Sequence, residues 1–331
     1  MSRDTVSSRT TTGPGGPSHG AGGPSDALDR PQRRAPKPRA WGTRAPLLPA
    51  LLFMVIVTQL PFVATLIISF MNWNALYPND RGFAGLDNFK TAFTDPDLRN
   101  SIFNTILYTV VIVLVALVLG FVLAMMLDRS FRGRGFVRTI LIAPFLVVPV
   151  AAALVWKHAI FNPEYGLLNG TITWVWQLFG SNNPPQPDWI TNTPKLTIMV
   201  ALIWQWTPFM MLILLAGLQG RPLDVIEAAQ VDGANPVQIF RHMTLPYMRQ
   251  YLELAGLLGS IYIVQNFDYV FTMTSGGLGS ANLPYTIYQT FYQAHDYGLA
   301  SAAGVIVVVG TIILATFALR TVSTLLREDQ L

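Results

Sequence analysis

The sequence predicts an all-α membrane protein with six transmembrane helices, and three observations lead there. Charged residues are only 12% of the chain and apolar ones 51%, whereas ordinary soluble domains carry about 25% charged residues. The charges are crowded into short stretches, which leaves six long apolar runs. Arginine and lysine gather in alternate loops between those runs, the pattern of a chain that crosses a bilayer repeatedly. The net charge of +4 is therefore read as a topology signal and not as a nucleic-acid face. With no cysteine, disulfides, thiolate metal sites and thiol nucleophiles are excluded.

Residues 1–45 come first, rich in Gly, Pro, Ser, Thr and Arg. Such a segment buries too little apolar surface to offset its ordering entropy, so a disordered cytoplasmic tail is expected. It lacks the apolar core of a signal peptide and is expected to be retained. The membrane domain then runs over residues 46–331. A helix needs roughly 20 apolar residues to cross the hydrocarbon core. The first such run is Leu47–Ser69, broken only by Pro49, Thr58, Gln59 and Pro61, and the second is Ile102–Leu127, with no charge before Asp128. The third, Val137–Ala159, is expected to be one helix kinked at Pro144 and Pro149, ending in Trp156 and Lys157. Leu196–Leu218 is the fourth. Tyr251–Phe271 is the fifth and the most polar, with Glu253, Gln265, Asn266 and Asp268, and Leu299–Leu319 is the sixth.

The basic residues orient these spans. Arg129, Arg132, Arg134 and Arg138 lie between the second and third, and Arg221, Arg241 and Arg249 around the loop joining the fourth to the fifth. Arg320 and Arg327 follow the sixth, and Arg30, Arg33, Arg34, Lys37, Arg39 and Arg44 precede the first. The opposite side carries only Arg81, Lys90, Arg99, Lys157 and Lys195 in longer loops. The basic side is expected to be the cytoplasm, with both termini inside.

The loop from Gly220 to Pro246 reads as two short helices. Pro222 suits the first turn of one, Asp224 its positive end, and Gly233 the left-handed position that stops it. Asn235 caps a second helix with Pro236 at its first position, expected to run to about Met243 and to be ended by Pro246. On these grounds alone the segment is a capped hairpin on the membrane surface. Within it stand Glu227, Ala228 and Ala229, then Asp232, Gly233 and Ala234, and then Leu245 and Pro246. That spacing, in a loop on the basic side, resembles the EAA loop of bacterial binding-protein-dependent importer permeases.

The likeness extends through most of the chain after the tail. Gly85-Leu86-Asp87-Asn88-Phe89 ahead of Asp95-Pro96 and Asn104-Thr105 is similar to the first outer loop of the sugar-permease branch. Phe161–Asn169, Trp206-Thr207-Pro208-Phe209, Phe267-Asp268 and Thr274-Ser275-Gly276-Gly277 continue it. Asn282–Tyr285 through Ser301-Ala302 looks most like permeases for sugar alcohols. The resemblance implies an ABC importer permease for a carbohydrate, a sugar or a sugar alcohol, delivered by an extracytoplasmic substrate-binding protein. It implies a second, homologous permease subunit and a cytoplasmic ATP-binding subunit dimer that binds ATP and Mg. The EAA loop would be the coupling helix that docks on that ATPase, through Glu227, Ala228, Ala229, Asp232, Gly233, Leu245 and Pro246. No G-x-x-x-x-G-K-[ST] phosphate loop occurs, so no ATPase site is expected in this chain and no cofactor of its own.

Polar and aromatic residues within the spans are the candidate substrate pathway: Trp204, Gln205 and Trp206 on the fourth, and Gln265, Asn266 and Asp268 on the fifth. An aromatic face packs against sugar C–H groups, and amides hydrogen-bond hydroxyls. Helix packing accounts equally for the tryptophans, and a place near the outer end of its span accounts for Asp268. Trp204 and Trp206 are about 200° apart on a helix, so at most one faces a substrate. Tyr285, Tyr288, Phe291 and Tyr292 fit an interfacial aromatic belt or a docking surface for the binding protein. His19, His158, His242 and His295 are scattered, and neither H-E-x-x-H nor G-x-S-x-G occurs, so no metal or catalytic site is expected. The alternative, a self-sufficient secondary transporter, calls for ion-coupling carboxylates and repeated halves, and neither is visible.

Overall fold

A computed structural model of the protein describes residues 47–180 and 183–325. The expected tail, with its basic residues, and Arg327 lie outside the described residues. By internal contacts the chain divides into Met1–Phe53 and Met54–Leu331. The described part of the first unit is the opening of helix α1 (Leu48–Ser69), and all later elements belong to the second.

After α1, two short strands, β1 (Met71–Asn72) and β2 (Gly82–Phe83), pair antiparallel in the first outer loop. Helix α2 (Asp87–Thr94) leads into α3 (Pro96–Asp128), which starts before the expected span because Asp95 caps it, its carboxylate accepting from the amides of Asp97 and Leu98. Then come α4 (Arg134–Leu146), α5 (Pro149–Leu154), α6 (Leu167–Leu178), the single turn α7 (Trp189–Asn192) and α8 (Pro194–Gln219). The loop helices are α9 (Leu223–Val231) and α10 (Pro236–Ile239). They are followed by α11 (Leu245–Val264), α12 (Asp268–Thr274), α13 (Leu283–Tyr288) and α14 (Tyr297–Leu325).

Helices α1, α3 and α8 are each long and apolar enough to cross a membrane, and α4 with the segment from Pro149 to Ile160 does so as a bent pair. Leu51, Phe53 and Leu60 on α1, like Leu114, Val118 and Met126 on α3, are more than half exposed. An apolar surface this continuous is stable only where the surroundings are lipid or another apolar subunit.

Three expectations are corrected. The third span is two helices meeting at 95°, not one kinked helix. A residue before proline is driven out of the helical region, and ahead of Pro149 both Val147 (ψ 135°) and Val148 (ψ 131°) are extended. The fifth span is also interrupted. Helix α11 begins earlier than Tyr251 and stops at Val264, and the chain resumes as α12 only at Asp268. Lastly, Pro246 ends nothing. The second loop helix passes through a π-turn, Phe240–Thr244, straight into α11. In that turn the Leu245 amide bonds to the carbonyl of Phe240, five residues back, and the wider turn accommodates a proline that has no N–H to give.

The core lies between α3 and α8. Tyr108, Ile112, Ala116, Ile198, Leu202 and Met210 are buried toward its outer half, and Ala124, Leu127, Leu214, Leu218 and Met248 toward its inner end. In lipid, apolar burial does not drive helices together, so close approach at small residues matters most. A Cβ on Gly120 would stand 2.8 Å from the backbone nitrogen of Met211 and 2.9 Å from Met210 Cβ. Gly120→Val is therefore expected to force α3 from α8 at a cost of about 1–3 kcal/mol. Thermal unfolding in detergent should show the loss. Gly304→Ala, with nothing within 4 Å of the added carbon, should unfold like the parent; equal midpoints for both variants would remove α3–α8 contact as the basis of the fold.

Candidate functional site

The bend between α4 and α5 and the break between α11 and α12 meet at one cavity of about 360 Å³, lined by Phe145, Val147, Pro149, Gln205, Trp206, Tyr262, Gln265, Asn266 and Asp268. Helix breaks are costly in lipid because they free backbone groups, and they are tolerated where the groups find partners or line a cavity. Both conditions hold. Gln205, only 4% exposed, donates its amide to the Val147 carbonyl at 2.9 Å, across the bend between α4 and α5. At the second break the Asn266 carbonyl accepts from the side-chain amide of Asn282.

The walls differ in chemistry. One is aromatic: Trp206 stacks on Tyr262 with centroids 5.4 Å apart, and Phe145 meets Trp206 nearly edge-on at 5.7 Å. The other carries Gln265, Asn266 and Asp268. The Asn266 side-chain oxygen is itself buried and has no hydrogen-bond donor among the described residues. Of the six expected pathway residues, the structure thus brings five into one cavity. Trp204 is not among them; it sits edge-on against Trp156 at 5.7 Å.

The loop on the basic side has the local geometry its residues predict. Helix α9 ends at Gly233, whose φ is +87°. The Gly233 amide bonds to the Gln230 carbonyl at 3.1 Å and the Ala234 amide to the Ala229 carbonyl at 2.9 Å, the paired bonds that close a helix at a left-handed glycine. Asn235 and Gln238 cap the next helix reciprocally, each side chain bonding the other's amide. Pro222 takes the N-cap position, one residue ahead of the first turn. Glu227, Ala228 and Asp232 are exposed and Ala229 half-buried. Beside them Leu223, Val225, Val231 and Val237 also lie open, Val231 at 88%. Leu245 and Pro246 sit apart from these, half-buried at the foot of α11.

Residues 99–327 match the family described as the inner membrane component of binding-protein-dependent transport systems. The chain belongs to that family. The permease is 32% identical over 264 residues to the trehalose/maltose transport system permease of Thermococcus litoralis, covering 78% of this chain and 86% of that one. It is 32% identical over 260 residues to the trehalose transport system permease of Mycobacterium tuberculosis, covering 78% and 81%. Its fold matches a chain in the crystal structure of a bacterial ABC transporter that imports the acidic polysaccharide alginate. The TM-score is 0.72 at 21% identity over 86% of this chain and 96% of that one. The permease is thus a multi-pass membrane subunit of an ABC importer, a transport component and not the ATP-hydrolysing one. These comparisons lend no support to a self-sufficient secondary transporter.

Segments recognised separately in the sequence meet in the permease. Asn104 donates to the carbonyls of Gly279 and Ala281, both at 2.8 Å, and Thr105 accepts from the Leu283 amide. They clamp a turn in which Ser275, Gly276, Leu278 and Gly279 all have positive φ. Contacts at the foot of the Gly220–Pro246 loop escaped the sequence reading. Arg221 pairs with Asp128 and bonds Thr244, while the Tyr247 hydroxyl donates to the Gly220 carbonyl at 2.6 Å. The one available signal was a lone acid, Asp128, ending the most apolar span.

Proposed function

We propose that the permease moves a carbohydrate, a sugar or a sugar alcohol, from an extracytoplasmic binding protein through the cavity formed by its two interrupted spans. The convergence of both breaks on one space, lined by an aromatic wall and by the polar residues Gln265, Asn266 and Asp268, carries this reading. The named substrates of the relatives are carbohydrates too. Trp206 and Tyr262 would pack on the sugar's C–H face, and Gln265, Asn266 and Asp268 would bond its hydroxyls. Gln205 serves as a positioning residue for the bend, and Trp204 as packing.

In this reading six spans place both termini in the cytoplasm, with residues 1–45 as a tail and 46–331 as the transmembrane permease domain. The sixfold count takes α4 with α5 as one span and α11 with α12 as another. Helix α9, with Glu227 at its surface and the small side chains of Ala228 and Ala229, docks on an ATP-binding subunit. Asp232 and Gly233 end the helix that docks, and Leu245 and Pro246 pass its motion into α11. ATP and Mg are bound by the ATPase dimer, and a second homologous permease completes the pathway. Closure of that dimer rocks the spans between two packed arrangements.

Two measurements test the assignment. Purified from native membranes, the permease should bring an ATPase and a second permease with it, and vesicles should take up a carbohydrate only with binding protein outside and ATP inside. An active lone chain would refute it. In the cysteine-free chain, Ser130→Cys should label from the cytoplasm and Leu76→Cys, at a 61% exposed position, from outside. Reversed labelling would overturn the orientation and the coupling role with it.

A further inference from the structure

One side chain ties the coupling loop to the span ends. Arg221 stands where α8 gives way to the loop. Its Nε donates to the Leu218 carbonyl at 2.9 Å and its Nη1 to the Thr244 hydroxyl at 3.1 Å. Its Nη2 is ion-paired with Asp128, 93 residues earlier at the last residue of α3. The two side chains are 16% and 24% exposed, so water screens them little.

The packing on either side of this residue is unequal. Toward the membrane, the inner ends of α3, α8 and α11 form a close-packed block. Leu127, Leu218 and Met248 are buried there, and a Cβ on Gly217 would come within 2.5 Å of the Tyr251 ring. Toward the loop, a cavity of about 370 Å³ opens, lined by residues that include Asp128, Arg221, Gln230, Ala234, Pro236 and Thr244. Along this side the loop does not rest on the span ends. Helices α8 and α11 are joined to the loop through the chain itself and must follow it. Helix α3 is not. Among the described residues it meets the loop and the π-turn chiefly through Asp128 and the ring contact of Phe121 with Phe240, 5.9 Å between centroids.

We infer that the Asp128–Arg221 pair is a strut that makes α3 move with the coupling loop when the ATPase closes. A loop movement that carried the guanidinium away alone would leave a half-buried anion and cation unpaired, which is costly, so the pair favours movement of α3 together with the loop. Asp128 and Arg221 are positioning residues. The inference rests on the reading of the loop as the ATPase contact.

The test is a distance measurement on the complete transporter purified from native membranes, needing no knowledge of the sugar. Spin labels are placed on this cysteine-free chain at Met126 of α3 and Val237 of the loop, 62% and 73% exposed. A second pair joins Val237 to Ile312 of α14. ATP with orthovanadate is added to trap the closed ATPase. The Val237–Ile312 distance is expected to change, as the coupling reading requires, while Met126–Val237 stays constant. In Asp128→Asn, which keeps the shape and an acceptor, Met126–Val237 is expected to shift or broaden, and Asp128→Glu should restore it. Arg221→Lys, which keeps the charge but loses the forked contact, serves if the asparagine variant does not assemble. An unmoved Val237–Ile312 distance defeats the coupling reading and the strut together. A Met126–Val237 distance that changes in the parent, or stays constant in both Asp128→Asn and Arg221→Lys, defeats the strut alone.

Discussion

Gly233→Val is expected to lower ATP-driven uptake on the order of tenfold to hundredfold while leaving the membrane-embedded helices folded. Space is not the reason, since nothing lies within 4 Å of a Cβ built on Gly233. The reason is the backbone. At φ +87° a β-branched residue is strained by about 1–3 kcal/mol. Valine relieves that strain by leaving the left-handed region, and the bonds from Gly233 to Gln230 and from Ala234 to Ala229 are then lost. The end of α9 unwinds, and the surface built from Glu227, Ala228 and Ala229 is no longer presented in one piece. Destabilising the docked form by that amount lowers coupled uptake on the order of tenfold to hundredfold. Asparagine tolerates the left-handed conformation better than other side chains, so Gly233→Asn should retain most activity. Uptake into reconstituted vesicles, with assembly checked by size exclusion, measures both. Normal uptake by the valine variant would make the loop ordinary surface structure.

The second large effect is expected in the cavity, where Trp206→Ala and Asn266→Ala should each raise the apparent KM for the sugar by about tenfold. Trp206 forms the aromatic wall with Tyr262, and its loss removes the flat surface on which a sugar ring would lie. Asn266 lines the same cavity beside Gln265 and Asp268, so its loss removes an amide that would hydrogen-bond the sugar's hydroxyls. Trp204→Ala should behave differently. Its ring contacts Trp156 outside the cavity, and truncation should reduce the yield of assembled transporter without moving KM. Concentration dependence of uptake in vesicles separates the two behaviours. Unchanged KM in both cavity variants would place the substrate elsewhere, on the partner permease.

The features that could be read from residues alone depend on a residue and its near neighbours along the chain. The long apolar runs need only a lipid surround to become helices, because in lipid each backbone group must bond within its own segment. Gly233 and the Asn235–Gln238 capping box depend on backbone angles and on amides at most five residues away. The periodicity that separates Trp204 from Trp206 is likewise a property of one helix. The interruptions were not legible in this way. Pro149 disfavours a continuous helix, yet whether the third span kinks or turns through 95° depends on Gln205, 58 residues later, reaching the freed Val147 carbonyl. No proline marks the stop at Val264. It is held open by Asn282, which bonds the released Asn266 carbonyl. The same holds for the pairing of Asp128 with Arg221, 93 residues apart in sequence and brought together by the packing of α3 on α8. A helix can break in a membrane only where a distant part of the chain supplies the missing hydrogen bonds. Local residue order determined where this protein spans the membrane, and its tertiary contacts decided where the spans open.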